Sequence, residues 1–76
     1  MVHSFVMVKT ATGGIEAALD EVTGLPGVEE AHVVAGDYDI IVEVEGSDVK
    51  ESIRTVSTDV REIEGIVDTK TYIALE

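Results

Sequence analysis

The residues Gly36-Asp37-Tyr38-Asp39 set a glycine, two carboxylates and a phenol between two apolar runs. One run ends at Val33-Val34-Ala35 and the next begins at Ile40. A turn here presents main-chain N–H and C=O groups that no sheet ladder uses. Such groups suit the carboxylate and ammonium of an amino acid. The aspartates supply negative charge for the ammonium, and Tyr38 supplies a wall. Glycine at 36 permits a backbone with positive φ. The same four residues also describe a plain hairpin turn, and both readings stand on the residues alone. Thr69 and Thr71 are the second feature. Two apart on a predicted strand, they turn their hydroxyls to one side. Threonine also suits a strand through its β-branched shape alone.

The other candidates are weaker. His3 and His32 fall near the ends of predicted strands and far apart in sequence. There is no cysteine, and metal sites draw on three or four convergent ligands, so no metal and no cofactor is expected. Carboxylate pairs occur at Glu29-Glu30, Asp37/Asp39 and Glu43/Glu45. With sixteen acidic residues in 76, such pairs arise by chance, and a solvated face explains them better than acid–base catalysis. Ser4, Ser47, Ser52 and Ser57 stand in no nucleophile-elbow context. Gly13-Gly14 can open a helix that accepts an anion, but the pattern is not a phosphate loop. No motif marks an enzyme.

Sixteen Asp and Glu face five Lys and Arg, a formal net charge of −11. Nucleic-acid affinity comes mostly from cations on phosphates, so direct DNA or RNA binding is not expected. At 45% hydrophobic residues in clear patterns, the chain is not a disordered acidic tail. It has no apolar stretch long enough to span a membrane. Its first residues lack the basic, apolar and cleavage segments of a signal peptide, so a cytoplasmic location is expected. An acidic, lysine-poor, folded chain also fits a halophilic source.

Val2 to Lys9 reads as a strand whose middle is apolar on both faces. Ile15, Ala18, Leu19 and Val22 recur at helical spacing, and Gly24 lies just past them. Val28 to Ala35 and Ile40 to Glu45 read as two strands joined by a short hairpin connection. Asp48 with Glu51 resembles a capping box. Val49, Ile53, Val56, Val60 and Ile63 then form one stripe on a helix of about four turns. Val67 to Leu75 is the last strand, with Val67, Thr69, Thr71, Ile73 and Leu75 on one face. The order is βαββαβ. Leu25-Pro26-Gly27-Val28 is echoed by Ile63-Glu64-Gly65-Ile66, half a chain later. Two βαβ units with right-handed crossovers give an α+β, ferredoxin-like fold: a four-stranded antiparallel sheet with both helices on one face. The other face then lacks a cover, which predicts a dimer packed sheet to sheet, with Val6 and Met7 in the contact.

Phe5-Val6-Met7-Val8-Lys9, Leu25-Pro26-Gly27-Val28-Glu29-Glu30-Ala31, Gly36-Asp37-Tyr38-Asp39-Ile40 and Ile63-Glu64-Gly65-Ile66-Val67-Asp68-Thr69-Lys70-Thr71 together resemble the effector-sensing (RAM) domain of the Lrp/AsnC transcriptional regulators. The resemblance covers nearly the whole chain. It implies the same fold, a dimeric α/β-barrel-type assembly, and octamers or larger rings. It implies an amino acid or similar small effector bound between dimers. The implied effector-binding residues are Gly36, Asp37, Tyr38, Asp39, Thr69 and Thr71, with Thr58 as the match late in the second helix. The usual family member carries an N-terminal helix–turn–helix domain that binds DNA, and this chain resembles the stand-alone sensing-domain subfamily. This chain starts just before its first strand, so residues 1–76 are expected to form one stand-alone sensing domain. It would regulate transcription through full-length family partners.

Two other readings remain. One is a small dimeric ferredoxin-like barrel enzyme acting on a small organic substrate, with His3, Tyr38, Glu43 and Tyr72 inside the barrel. The other is a ligand-free oligomerisation module. The charge generates a test of its own. At molar salt like charges are screened within about 3 Å. The denaturation midpoint should rise as salt is raised to that level, and a flat or falling curve would remove the halophile argument.

Overall fold

The computed structural model describes residues 2–75. The elements are β1 (Val2–Thr10), α1 (Ile15–Thr23), β2 (Val28–Val33), β3 (Ile40–Gly46), α2 (Val49–Arg54) and β4 (Ile66–Ile73). A π-helical stretch, Thr55–Val60, continues α2. The strands form one antiparallel sheet in the order β2-β3-β1-β4. Its helices lie on one side, with α1 against β2 and β3 and α2 against β3 and β1. This is the expected ferredoxin-like arrangement.

The core follows strand alternation. Val6 pairs with Val42, Ser4 with Val44 and Val8 with Ile40. All six are wholly buried on the helix side, together with Ala18 and Val22 of α1 and with Val60. Burying a side chain of this size is worth about 1.5–3 kcal/mol. The buried Ser4 hydroxyl has no hydrogen-bond partner among the described residues. Val60 and Ile63 reach the core as the stripe predicts. The side chains of Val49, Ile53 and Val56 lie outside the described residues. The uniform α-helix expected there loosens into wider π turns from Thr55. The sequence TVSTDV is rich in β-branched residues, which have a lower helix propensity.

The two halves repeat their turn. Gly27 and Gly65 have φ of +88° and +94°. Val28 N–H donates to the Leu25 carbonyl at 3.3 Å, and Ile66 N–H donates to that of Ile63 at 3.3 Å. A Cβ on Gly27 would lie 3.1 Å from the Glu45 carbonyl oxygen, so backbone approach also demands glycine there. Gly24 closes α1 in the right-handed region, with φ of −87°. Asp48 caps α2 by accepting the Glu51 N–H at 2.7 Å, and Ser47 Oγ donates to the Glu51 carboxylate at 2.6 Å.

Three expectations need correction. β2 stops at Val33, two residues early; one further bond in the same register, from Val34 N–H to the Asp39 carbonyl, closes the loop. A register shift between Lys9 and Thr10 puts Ile66 against the core and leaves Val67 exposed, so β4 does not keep Val67 in line with Thr69. Val6 lies in the domain's own core, not on the open face.

The open face carries Phe5, Met7 and Ile41, all half-buried, at its centre. His3, Glu43, Glu45, Lys70 and Tyr72 surround them by strand alternation. The Glu29 carboxyl is held above the usual carboxylate range, first by its hydrogen bond with Glu45 and then by repulsion from it.

Val6→Asp should therefore abolish folding, since it places an unpaired charge in the core at a cost of several kcal/mol. Met7→Asp should leave the domain folded and lower its self-association. Circular dichroism with light scattering separates the two. A folded Val6→Asp variant would refute this placement.

Candidate functional site

The connection between β2 and β3 runs over six residues, from Val34 to Asp39, and Asp39 anchors it. Asp39 N–H donates to the Val8 carbonyl at 2.9 Å, and its own carbonyl accepts the Val34 N–H at 2.8 Å. Asp39 Oδ2 accepts the Thr10 N–H at 2.8 Å and the Thr10 hydroxyl at 3.1 Å. One residue thus closes the loop and ties it to the end of β1. Hydrogen bonds to a charged acceptor are the stronger kind.

This arrangement divides the predicted residues by role. Asp39 has one carboxylate oxygen committed to Thr10, so it positions the loop. Gly36 and Asp37 are exposed, and Tyr38 is half-buried. Gly36 does not take the expected positive φ; the left-handed glycines among the described residues are Gly13, Gly27 and Gly65. The longer loop makes its turn without one.

Thr69 and Thr71 stand opposite Val8 and Val6 on β4, the edge strand on the other side of β1. They face the helix side, as Val6 and Val8 do. Thr69 is half-buried and Thr71 exposed. Adjacent strands lie about 4.8 Å apart, so the Asp39 anchor and Thr69 flank β1 at roughly 10 Å from each other. The loop and Thr69 therefore share one end of the sheet, with Thr71 one step further along. Thr58 is exposed on the π-helical stretch, on the same side of the sheet.

Thr69 also lines a small polar depression with Arg61, Ile66, Val67 and Asp68. None of the loop residues lines it, so within a single chain the two halves of the predicted site stay separate. Sequence reasoning missed two residues here. Thr10 carried no signal beyond ending a strand. Arg61 carried one, as one of five cations in a chain with sixteen acids.

The residues of the enzyme alternative divide as well. His3, Glu43 and Tyr72 lie on the open face, with His3 Nε2 3.1 Å from Glu43 Oε1 and the His3 ring stacked on Phe5 at 4.9 Å. Tyr38 stays in the loop. Among the described residues no helix is long and apolar enough to cross a membrane.

The anchor predicts unequal effects within the loop. Asp39→Ala should cost about 1–3 kcal/mol, because it leaves Thr10 donors unsatisfied. Asp37→Ala should change stability by no more than about 0.5 kcal/mol. Urea denaturation measures both, and equal effects would contradict the assigned roles.

A family model described as Lrp/AsnC ligand binding domain matches residues 3–76. Among curated proteins, the chain is 38% identical over 55 residues to the HTH-type transcriptional regulator LysM of Saccharolobus solfataricus, covering 72% of this chain and 38% of that one. The chain thus spans under two fifths of the curated regulator's length. Among solved structures, the protein FFRP-DM1 is 35% identical with a TM-score of 0.93, covering 99% of this chain and 100% of that one. A Neisseria meningitidis transcriptional regulator, solved as a complex with L-Met, has the same fold at 16% identity and a TM-score of 0.86; the match covers 99% of this chain and 50% of that one.

Proposed function

The chain belongs to the Lrp/AsnC ligand-binding domain family, and from that premise we propose that it is a sensing module for a small effector, an amino acid. The observation that carries this reading is the Asp39 anchor. It holds Gly36, Asp37 and Tyr38 in one shape at the end of the sheet where Thr69 also stands. Exposed main-chain groups of the loop take the effector's carboxylate and ammonium. Asp37 adds charge for the ammonium, and Tyr38 adds a wall.

In one chain the loop and the threonines flank β1 without meeting in one depression. A neighbouring copy completes the pocket by bringing its own loop or last strand across the gap. Pairing of open faces through Phe5, Met7 and Ile41 makes the dimer, and dimers meet at the loop end. An effector bound between dimers favours one assembly over another by its difference in affinity for the two. Residues 1–76 act as one sensing domain in the cytoplasm. The net charge of −11 sets the chain itself against phosphate backbones, so its effect on transcription passes through DNA-binding members of the family.

The test is a thermal-shift screen with the common amino acids at high salt. A ligand at 100 times its dissociation constant adds about 2.7 kcal/mol. Asp37→Ala and Thr71→Val should each weaken the selected ligand about tenfold, since a hydrogen bond to a charged group is worth roughly 1.5–3 kcal/mol. Both variants should keep the stability of the parent. If no amino acid shifts the midpoint, the sensing role is refuted.

A further inference from the structure

On the open face, near the β2 edge, the fold gathers residues that the sequence keeps apart. Glu30 stands directly opposite Glu43 across β2 and β3, and His32 stands opposite Ile41 on the same face. One ligand atom from each of Glu30, His32 and Glu43 lies within 4.8 Å of the others. His32 Nε2 is 3.2 Å from Glu30 Oε1. From the other side, His3 Nε2 is 3.1 Å from Glu43 Oε1.

Two carboxylates directly opposite one another on adjacent strands destabilise a sheet. A register shift between Val28 and Glu30 helps set this alignment. The ion pairs these carboxylates make among the described residues are to histidines only. An imidazole also offers a ring-nitrogen lone pair that can ligate a metal.

We propose that Glu30, His32 and Glu43 form a binding site for a divalent transition-metal ion, with zinc as the representative case. One imidazole and two carboxylates without thiolate suit Zn²⁺, Co²⁺ or Ni²⁺, whereas Mg²⁺ and Ca²⁺ favour sites built from oxygen alone. In a tetrahedral zinc site, ligand atoms about 2.0–2.1 Å from the metal are roughly 3.4 Å from each other. Glu30 and His32 are already spaced so. Both side chains are about 60% exposed and can rotate to close the remaining gap to Glu43. His3 is a positioning residue. Its Nε2–H donates to Glu43 Oε1 from the β1 side and holds that carboxylate in place, as outer partners of metal ligands do. Three protein ligands leave one tetrahedral position for water or a small molecule.

This site shares no residue with the effector pocket, but it lies on the face proposed to pair between copies, so light scattering alongside the titration separates loss of metal binding from loss of pairing. The test is calorimetric titration of Zn²⁺ into the whole chain, with Co²⁺ absorption reporting coordination geometry. His32→Ala and Glu43→Gln should each lower zinc affinity tenfold or more. His3→Ala should lower it less, and Glu64→Gln, on a remote exposed position, should leave it unchanged. Circular dichroism confirms that each variant is folded. Tetrahedral Co²⁺ bands in the parent that are lost in His32→Ala support the site. Zinc binding equal in the parent and His32→Ala, binding displaced by excess Mg²⁺, or no binding at all overturns it.

Discussion

Five side chains of the two central strands, Val6, Val8, Ile40, Val42 and Val44, are wholly withdrawn from water on one face of the sheet. That burial organises the molecule. At about 1.5–3 kcal/mol each, these residues outweigh any exposed ion pair in the domain. Ala18 and Val22 of α1, with Val60 and Ile63, pack on this face, and the register of β1 with β3 follows from it. A slip of one residue would bring the charged alternates inward. The same alternation gives the opposite face its mixed character, apolar at Phe5, Met7 and Ile41 and acidic or imidazole around them.

Two kinds of fastening hold the strand ends. In each half, a left-handed glycine joins the end of a helix to the next strand, Gly27 in the first and Gly65 in the second. The Gly65 carbonyl also accepts the Ala11 N–H at 2.7 Å, tying the start of β4 to the end of β1. At that same end, Asp39 grips Thr10. The loop between β2 and β3 is therefore fastened to a strand at its base and exposed at Gly36 and Asp37. A binding loop needs both properties, because a fixed shape lowers the entropy lost on binding.

Acidity has separate consequences in different places. Over the chain as a whole it gives a formal net charge of −11, which must be carried without much help from basic residues. On the sheet, it concentrates at Glu29, Glu30, Glu43 and Glu45, where strand pairing brings carboxylates side by side. A chain with five basic residues cannot neutralise such a cluster by ion pairs everywhere, and histidine is what the fold supplies there.

Periodicity in the sequence determined the element order, the ferredoxin-like class and the burial of Ile40, Val42 and Val44. Side-chain period and glycine punctuation are local properties, and the halves' shared Gly-ended turns carry them twice. The family was legible too, in four short segments at fixed spacing. The folded chain alone decided the rest. Val6 and Met7 are both apolar neighbours, and only pairing with Val42 and Ile41 assigns them to opposite faces. The register shift that exposes Val67 depends on how β4 meets β1. Asp37 and Asp39 look equivalent in sequence, yet Thr10, 29 positions from Asp39, makes one an anchor and leaves the other exposed. His32 and Glu43 become neighbours through strand pairing in the same way. Each of these is a relation across strands, set by the sheet's hydrogen-bond register, and the spacing of residues along one segment cannot encode it.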